Sequence, residues 1–359
     1  MKELRLMKGN EAMAEAAIRC GADGYFGYPI TPQSEVLEYL MAEEPWDRTG
    51  MVVLQAESEI AAINMIYGGA STGKKVLTSS SSPGISLKQE GLSYLAGAEL
   101  PCVIINVVRG GPGLGDIQPA QSDYFQSVKG GGHGDYKLFV IAPSSVQESS
   151  DFVKKSFDIA FKYRIPVLIL SDGAIGQMME KVELFEQEER LTDEQVIEKY
   201  GSWATTGKTD DRERNIITSL DLIPERLEDH NKHLQAKYRE IEENEIMFEE
   251  IHCDDAEHVI VAYGTSARIC QKTVQLAREK GIKLGLMRPI TLWPFPKKKI
   301  AEYGDTKKGI LVVEMSEGQM IEDVQLNLSG KIPAIHFGRS GGVIPTPDEV
   351  LTAFEKHFM

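Results

Sequence analysis

The sequence predicts an α/β protein: a larger doubly wound domain, then an acidic helical segment, then a smaller α/β domain. Three observations carry this. Short apolar runs alternate with stretches of helical periodicity through the first half. The alternation stops in a charge-rich middle and resumes near Glu257. Polar loops bearing Gly and Pro recur after the apolar runs, where open α/β sheets bind ligands. The expected division is 1–185, an acidic linker at 186–255, and 256–359.

The elements follow in order. Val52-Val53-Leu54, Val76-Leu77-Thr78, Val103 to Val108, Leu138 to Ala142 and Pro166 to Leu170 read as buried parallel strands, which are apolar on both faces. Thr31 or Ser34 is placed to cap a helix beginning near Glu35. Ile60, Ile63, Ile66 and Tyr67 give the next helix an apolar face. Ser144 or Ser145 caps another, with Gln147 or Glu148 closing the box. Its stripe is Val146, Val153, Phe157, Ala160 and Phe161. Glu225 to Ile251 reads as one long linker helix with the stripe Leu227, Leu234, Tyr238, Ile241 and Phe248. In the second unit His258 to Tyr263 is a strand and Ala267 to Lys280 a helix. Ile310 to Glu314 and Pro333 to Phe337 are further strands.

Composition narrows the function classes. With 359 residues, 42% hydrophobic and 26% charged, the chain is an ordinary globular one, long enough for a large core. The net charge of −15 argues against a general binder of nucleic acid or anionic membrane. Most of that excess, −13, lies between Glu180 and Asp255. Cys20, Cys102, Cys253 and Cys270 form no C-x-x-C pair, so neither structural zinc nor an iron–sulfur cluster is expected on this chain. They read as buried thiols in a reducing compartment. No signal peptide and no long apolar span is seen, so the expected location is the cytoplasm. P-loop, G-x-G-x-x-G, G-x-S-x-G and H-E-x-x-H signatures are all absent.

Four strand-end loops stand out. In Gly27-Tyr28-Pro29-Ile30-Thr31-Pro32-Gln33-Ser34-Glu35 two prolines fix the backbone around Thr31. The loop is either a capped helix start or a set of donors for an anion. In Gln55-Ala56-Glu57-Ser58-Glu59 a carboxylate either complements a helix dipole or serves catalysis. Ser79-Ser80-Ser81-Ser82-Pro83-Gly84 is a polar loop or a shelf of donors facing a ligand. After the strand ending at Val108, Arg109 precedes Gly110-Gly111-Pro112-Gly113-Leu114-Gly115. Its guanidinium suits a carboxylate or phosphate, or else a structural ion pair. His133, in a glycine-rich loop, reads equally as a loop hydrogen-bonder or a general base.

In this order, Y-P-I-T-P-Q-S-E, Q-A-E-S-E-I-A-A-I-N, S-S-S-S-P-G-I-S-L and V-V-R-G-G-P-G-L-G resemble the alpha subunit of 2-oxoacid:ferredoxin oxidoreductases. D-G-Y-F-G, the run from Gln118 to Asp135, A-Y-G-T-S-A-R and M-R-P-I-T-L-W-P-F-P extend the resemblance over most of the chain outside the acidic middle. The detail is closest to the 2-oxoisovalerate (3-methyl-2-oxobutanoate) branch, with the 2-oxoglutarate branch next.

The resemblance implies a thiamine-diphosphate-binding-type pyrimidine domain followed by a domain like the transketolase C-terminal domain, which is structural. It implies thiamine pyrophosphate shared with a beta subunit that holds the diphosphate, Mg2+ and an iron–sulfur cluster. Small ferredoxin-like or gamma subunits, ferredoxin, coenzyme A and a 2-oxoacid complete the expected partners. Glu59 is the implied catalytic carboxylate, bonding the pyrimidine N1′. Tyr28, Pro29, Ile30 and Ser82 join it around the cofactor, and Thr31 and Arg109 hold the 2-oxoacid. Gly264-Thr265-Ser266 is expected to cap a helix. Two other readings remain: a thiamine enzyme of the transketolase or sugar-phosphate synthase type, and a non-catalytic scaffold subunit completing a partner's site.

Overall fold

The computed structural model describes residues 3–208, 210 and 212–359; Met1, Lys2, Thr209 and Asp211 lie outside that description. The strands are β1 (Glu3–Lys8), β2 (Gly24–Gly27), β3 (Val52–Gln55), β4 (Val76–Ser80), β5 (Cys102–Val108), β6 (Phe139–Ile141), β7 (Pro166–Asp172) and β8 (Met179–Leu184). Beyond the acidic stretch come β9 (Phe248–Ile251), β10 (His258–Val261), β11 (Leu284–Pro289), β12 (Thr291–Trp293), β13 (Gly309–Glu314) and β14 (Ala334–Gly338).

The larger sheet has the order β3-β2-β4-β5-β7-β6-β12. It is parallel except for β12, which runs antiparallel on β6. All seven residues of β5 and of β7 are buried, as central strands covered by helices on both faces should be. The second sheet, β14-β13-β10-β11-β9, is parallel save for β9. β1 and β8 form a separate antiparallel ribbon.

The structure corrects several sequence expectations. The long helix ends at Asn244, and Phe248–Ile251 is a strand. Only Leu234, Tyr238 and Ile241 of the proposed stripe are buried; Leu227 and Phe248 are 40% and 38% exposed. An interaction outside the helix favours the strand. Glu249 sits opposite Arg288 on β11 and pairs with it at 3.0 Å. Arg288 is 3% exposed and also takes the Glu148 carboxylate at 2.7 Å, so its buried charge needs both acids.

Capping also differs in detail. Ser145 caps helix Val146–Tyr163, while the Glu148 carboxylate accepts from the Ser144 N–H. Helix Ser34–Glu43 has Gln33 at its N-cap, and neither Thr31 nor Ser34 caps it. Helix Gly264–Glu279 has Tyr263 at its N-cap position, with no side-chain capping bond, so Gly264, Thr265 and Ser266 form its first turn. Thr265 donates instead to Asp172 (2.8 Å) and Ser266 to Gln121 (2.7 Å), which ties the second sheet to the first.

The main core runs through both units, taking Met287, Leu292 and Trp293 as well as β4, β5 and β7. A smaller core lies behind the second sheet. The four cysteines are free and buried. Among the described residues no helix is long and apolar enough to cross a membrane.

Candidate active site

The sheet order creates a switch point between β2 and β4. From β2 the chain passes to β3 on one side, and from β4 to β5 on the other. Ligands bind in such crevices at the carboxyl ends of strands. The Tyr28–Pro32 loop leaves β2 here and the serine shelf leaves β4.

The Tyr28 loop is rigid for reasons in its own side chains. Gln33 is fully buried, donates back to the Tyr28 carbonyl at 3.0 Å and accepts from Ser79. Ser79 in turn meets the Tyr25 hydroxyl at 2.7 Å. The Pro32 carbonyl is held by Asn10 (2.7 Å) and Gln177 (3.1 Å). Tyr28, Pro29 and Ile30 are half-buried, and Thr31 is exposed with no hydrogen bond to its hydroxyl among the described residues.

Glu59 opens helix Glu59–Ser71, with Ser58 capping at the Ala61 N–H. It is 7% exposed, yet no described residue hydrogen-bonds its carboxylate. Glu57 lies in the preceding loop and is exposed. Glu59 reaches helix Ser82–Gly97 at Gly84. A Cβ built at Gly84 would stand 2.1 Å from Ser80 Oγ and 2.8 Å from Glu59 Oε1. Those atoms end flexible side chains, so Gly84→Ala is expected to keep its fold and displace the carboxylate. On the expectation that Glu59 is the catalytic carboxylate, the melting temperature should hold while turnover of the enzyme falls.

Arg109 is 7% exposed and, among the described residues, pairs with no acid, which answers the ion-pair reading. Its Nη1 donates to the Thr31 carbonyl (2.9 Å) and its Nη2 to the Leu114 carbonyl (3.0 Å). It therefore fastens the Tyr28 loop to the glycine loop. Among the described residues its Nε is buried without a partner, as are Ser80 Oγ and Ser81 Oγ. Ser82 Oγ accepts from the Arg109 N–H at 3.1 Å and fixes that main chain. Gly115 has φ +61°, and a Cβ there would lie 1.8 Å from the Gly110 carbonyl, so the loop closes on itself only with glycine.

Arg109, Ser82 and Gly110–Gly113 line a cleft of about 400 Å3 whose far wall is Met315–Glu317, Gln319 and Ser340–Gly341. That wall, from the second unit, was not anticipated in the sequence. Gln121 anchors it: its Nε2 donates to the Tyr263 carbonyl (2.9 Å) and its Oε1 accepts from the Met315 N–H (3.0 Å). His133 is exposed, meets the Tyr94 ring edge-on at 6.2 Å, and stands apart from this constellation. Thus Tyr28–Thr31, Glu59, Ser82 and Arg109 sit on neighbouring strand ends, although of these Ser82 and Arg109 line the cleft while Tyr28–Thr31 and Glu59 do not.

Residues 15–249 match the family described as pyruvate flavodoxin/ferredoxin oxidoreductase, thiamine diphosphate-binding. Residues 256–350 match pyruvate:ferredoxin oxidoreductase core domain II. The chain belongs to the 2-oxoacid:ferredoxin oxidoreductase family. It is an alpha-type subunit of that family.

Among its relatives in the family is ketoisovalerate oxidoreductase subunit VorB of Methanothermobacter thermautotrophicus. The two are 50% identical over 90% of this chain and 89% of that one. 2-Oxoglutarate synthase subunit KorA of Methanothermobacter marburgensis is 34% identical over 98% of both. The 2-oxoglutarate:ferredoxin oxidoreductase of Magnetococcus marinus, solved with 2-oxoglutarate, coenzyme A and succinyl-CoA bound, superposes with TM-score 0.86 at 27% identity. The match takes in 99% of this chain but 65% of that chain. A split-gene transketolase (TM-score 0.59, 13% identity) shares the fold alone.

The residues present fit the thiamine group that the family description implies. A nearly buried carboxylate and, among the described residues, buried hydroxyls without partners stand together at a sheet switch point. Leaving them so is costly unless a polar ligand meets them.

Proposed function

We propose that this chain is the alpha subunit of a coenzyme-A-dependent 2-oxoacid:ferredoxin oxidoreductase acting on 2-oxoisovalerate, with 2-oxoglutarate the next choice of substrate. The nearly buried Glu59 carboxylate, which no described residue hydrogen-bonds, set against Gly84 and Ser80, carries the reading. The order of substrates follows the 50% and 34% identities.

When bound, thiamine diphosphate supplies the carbon nucleophile for the 2-oxo carbon and accepts the electrons left by decarboxylation. Glu59 holds the shared proton at the pyrimidine N1′. Tyr28, Pro29, Ile30 and Ser82 would flank the ring, and the loop fixed by Gln33 would exclude water from one side. Arg109 and Thr31 receive the substrate's carboxylate and carbonyl. A beta subunit brings the diphosphate site, Mg2+ and an iron–sulfur cluster, and small ferredoxin-like or gamma subunits and ferredoxin take the electrons. Residues 1–185 act as the pyrimidine domain, 186–255 as linker and 256–359 as a structural domain. The four buried thiols suit a reducing cytoplasm.

The test is reconstitution. Purified alone, the chain is expected to be colourless and inactive and to bind thiamine diphosphate weakly. With its partners it should reduce a dye in the presence of coenzyme A and a 2-oxoacid, 2-oxoisovalerate fastest. A visible iron–sulfur band from this chain alone, or dye reduction indifferent to 2-oxoacids, overturns the proposal.

A further inference from the structure

Helix Ser82–Gly97 buries a lysine. Lys88 is fully enclosed, in the stripe that also buries Ile85, Leu92 and Leu95. Burying an ammonium is expensive unless it is paired. Yet among the described residues Lys88 joins no ion pair, and its Nζ has one long hydrogen bond, 3.4 Å to the main-chain carbonyl of Glu59. An ordinary core position would hold Leu or Met.

We infer that Lys88 is a positioning residue for the reaction: its buried ammonium is the counter-charge, on the protein side, of the Glu59 carboxylate. Placement supports this. Gly84, Lys88 and Gly91 are spaced four and three apart and share one face of their helix. Gly84 faces the Glu59 side chain and Gly91 faces Ile63, one turn further along the Glu59 helix. Lys88 lies between them, behind the carboxylate rather than in the crevice. Strand β5 beside this helix carries no charge, and Asp172 at the end of β7 is engaged with Thr265 and the Ala174 N–H. Among the described residues, Glu59 is the charged group whose field acts on Lys88.

Burial pulls the Lys88 amine down from its ordinary 10.5 to about 8, and the Glu59 charge opposes that pull. The counter-charge is therefore present at neutral pH and lost as pH rises through about 8. Stability moves the other way. A depressed lysine is fully penalised below about 8, where both folded and unfolded chains are protonated, and the penalty fades between about 8 and 10.5. Lys88 thus costs stability at neutral pH and serves Glu59 there.

The inference rests on the reading of Glu59 as the catalytic carboxylate, and the experiment keeps the two apart. Lys88→Met fills nearly the same space without the charge. In the reconstituted enzyme it is expected to lower kcat about tenfold at neutral pH, the size of one pH unit of charge interaction. The KM for the 2-oxoacid should be unchanged and the loss of activity above pH 8 flattened. A kcat within twofold of the parent at every pH overturns the inference. Should the variant fail to assemble, the full chain with 13C-labelled lysines answers directly. Lys88, identified by its absence from the spectrum of Lys88→Arg, should titrate at lower pH in Glu59→Gln than in the parent. Equal titration in both chains overturns the inference. If Glu59→Gln itself turns over normally, the catalytic reading fails instead, whichever way Lys88 titrates.

Discussion

Glu59→Gln in the assembled enzyme lowers turnover by about 10²–10⁴-fold, the usual loss on removing a positioned acid–base group. An amide of the same shape occupies the space against Gly84 and Ser80 but cannot share a proton with N1′. Assembly should persist, because no described residue hydrogen-bonds the carboxylate that is lost, while the melting temperature should fall somewhat as the buried Lys88 loses the opposing charge. Glu57→Gln is the matched control. Glu57 is exposed in the loop ahead of the helix, so near-normal turnover is expected. Stopped turnover in Glu57→Gln with normal turnover in Glu59→Gln would move the carboxylate role two residues upstream.

The parallel strands were legible because burial on both faces leaves continuous apolar runs, such as Val103 to Val108. The pieces that escaped had other origins. β2 is four residues long with glycine at each end, too short and too small for a periodic signal. β9 looked helical because Phe248 and Ile251 continue a spacing of three to seven; it is a strand because Arg288 demands Glu249 across a ladder. β12 is only three residues long, ends at Trp293 where the W-P-F-P run begins, and joins a sheet more than a hundred residues earlier in the chain. Such pairing has no local signature.

The site divides in the same way. The loops were visible as unusual clusters of Pro, Ser, Arg and Gly. What holds them was not. Gln33 entered only as a member of its loop, and Gln121 only within the run from Gln118 to Asp135. The cleft wall at Met315–Gln319 belongs to the other sheet altogether. One signal was available and unused: Lys88 breaks the apolar stripe of Ile85, Leu92 and Leu95, and a charge at a core position is informative.

Arg109→Ala should raise KM for the 2-oxoacid and lower kcat/KM by roughly 2–5 kcal/mol, the loss when a desolvated charge partner is removed. A guanidinium has five N–H donors. Two of its nitrogens hold the Thr31 and Leu114 carbonyls, while the buried Nε has no partner. Donor capacity therefore remains for a carboxylate without releasing either loop. Arg109→Lys keeps the charge but cannot span both carbonyls and a ligand, so it should show the same changes, less severely. Thr31→Ala removes a neutral, exposed hydroxyl and should cost less, about 1–3 kcal/mol. Arg109 also joins two loops, so a purely structural role predicts a lower melting temperature with substrate affinity unchanged in whatever enzyme assembles. Melting temperature and KM measured on the same Arg109→Lys complex decide between them. A raised KM with the melting temperature held assigns Arg109 to the substrate; a lowered melting temperature with KM unchanged makes it a fastener of the Thr31 and Leu114 loops and leaves the carboxylate to another donor.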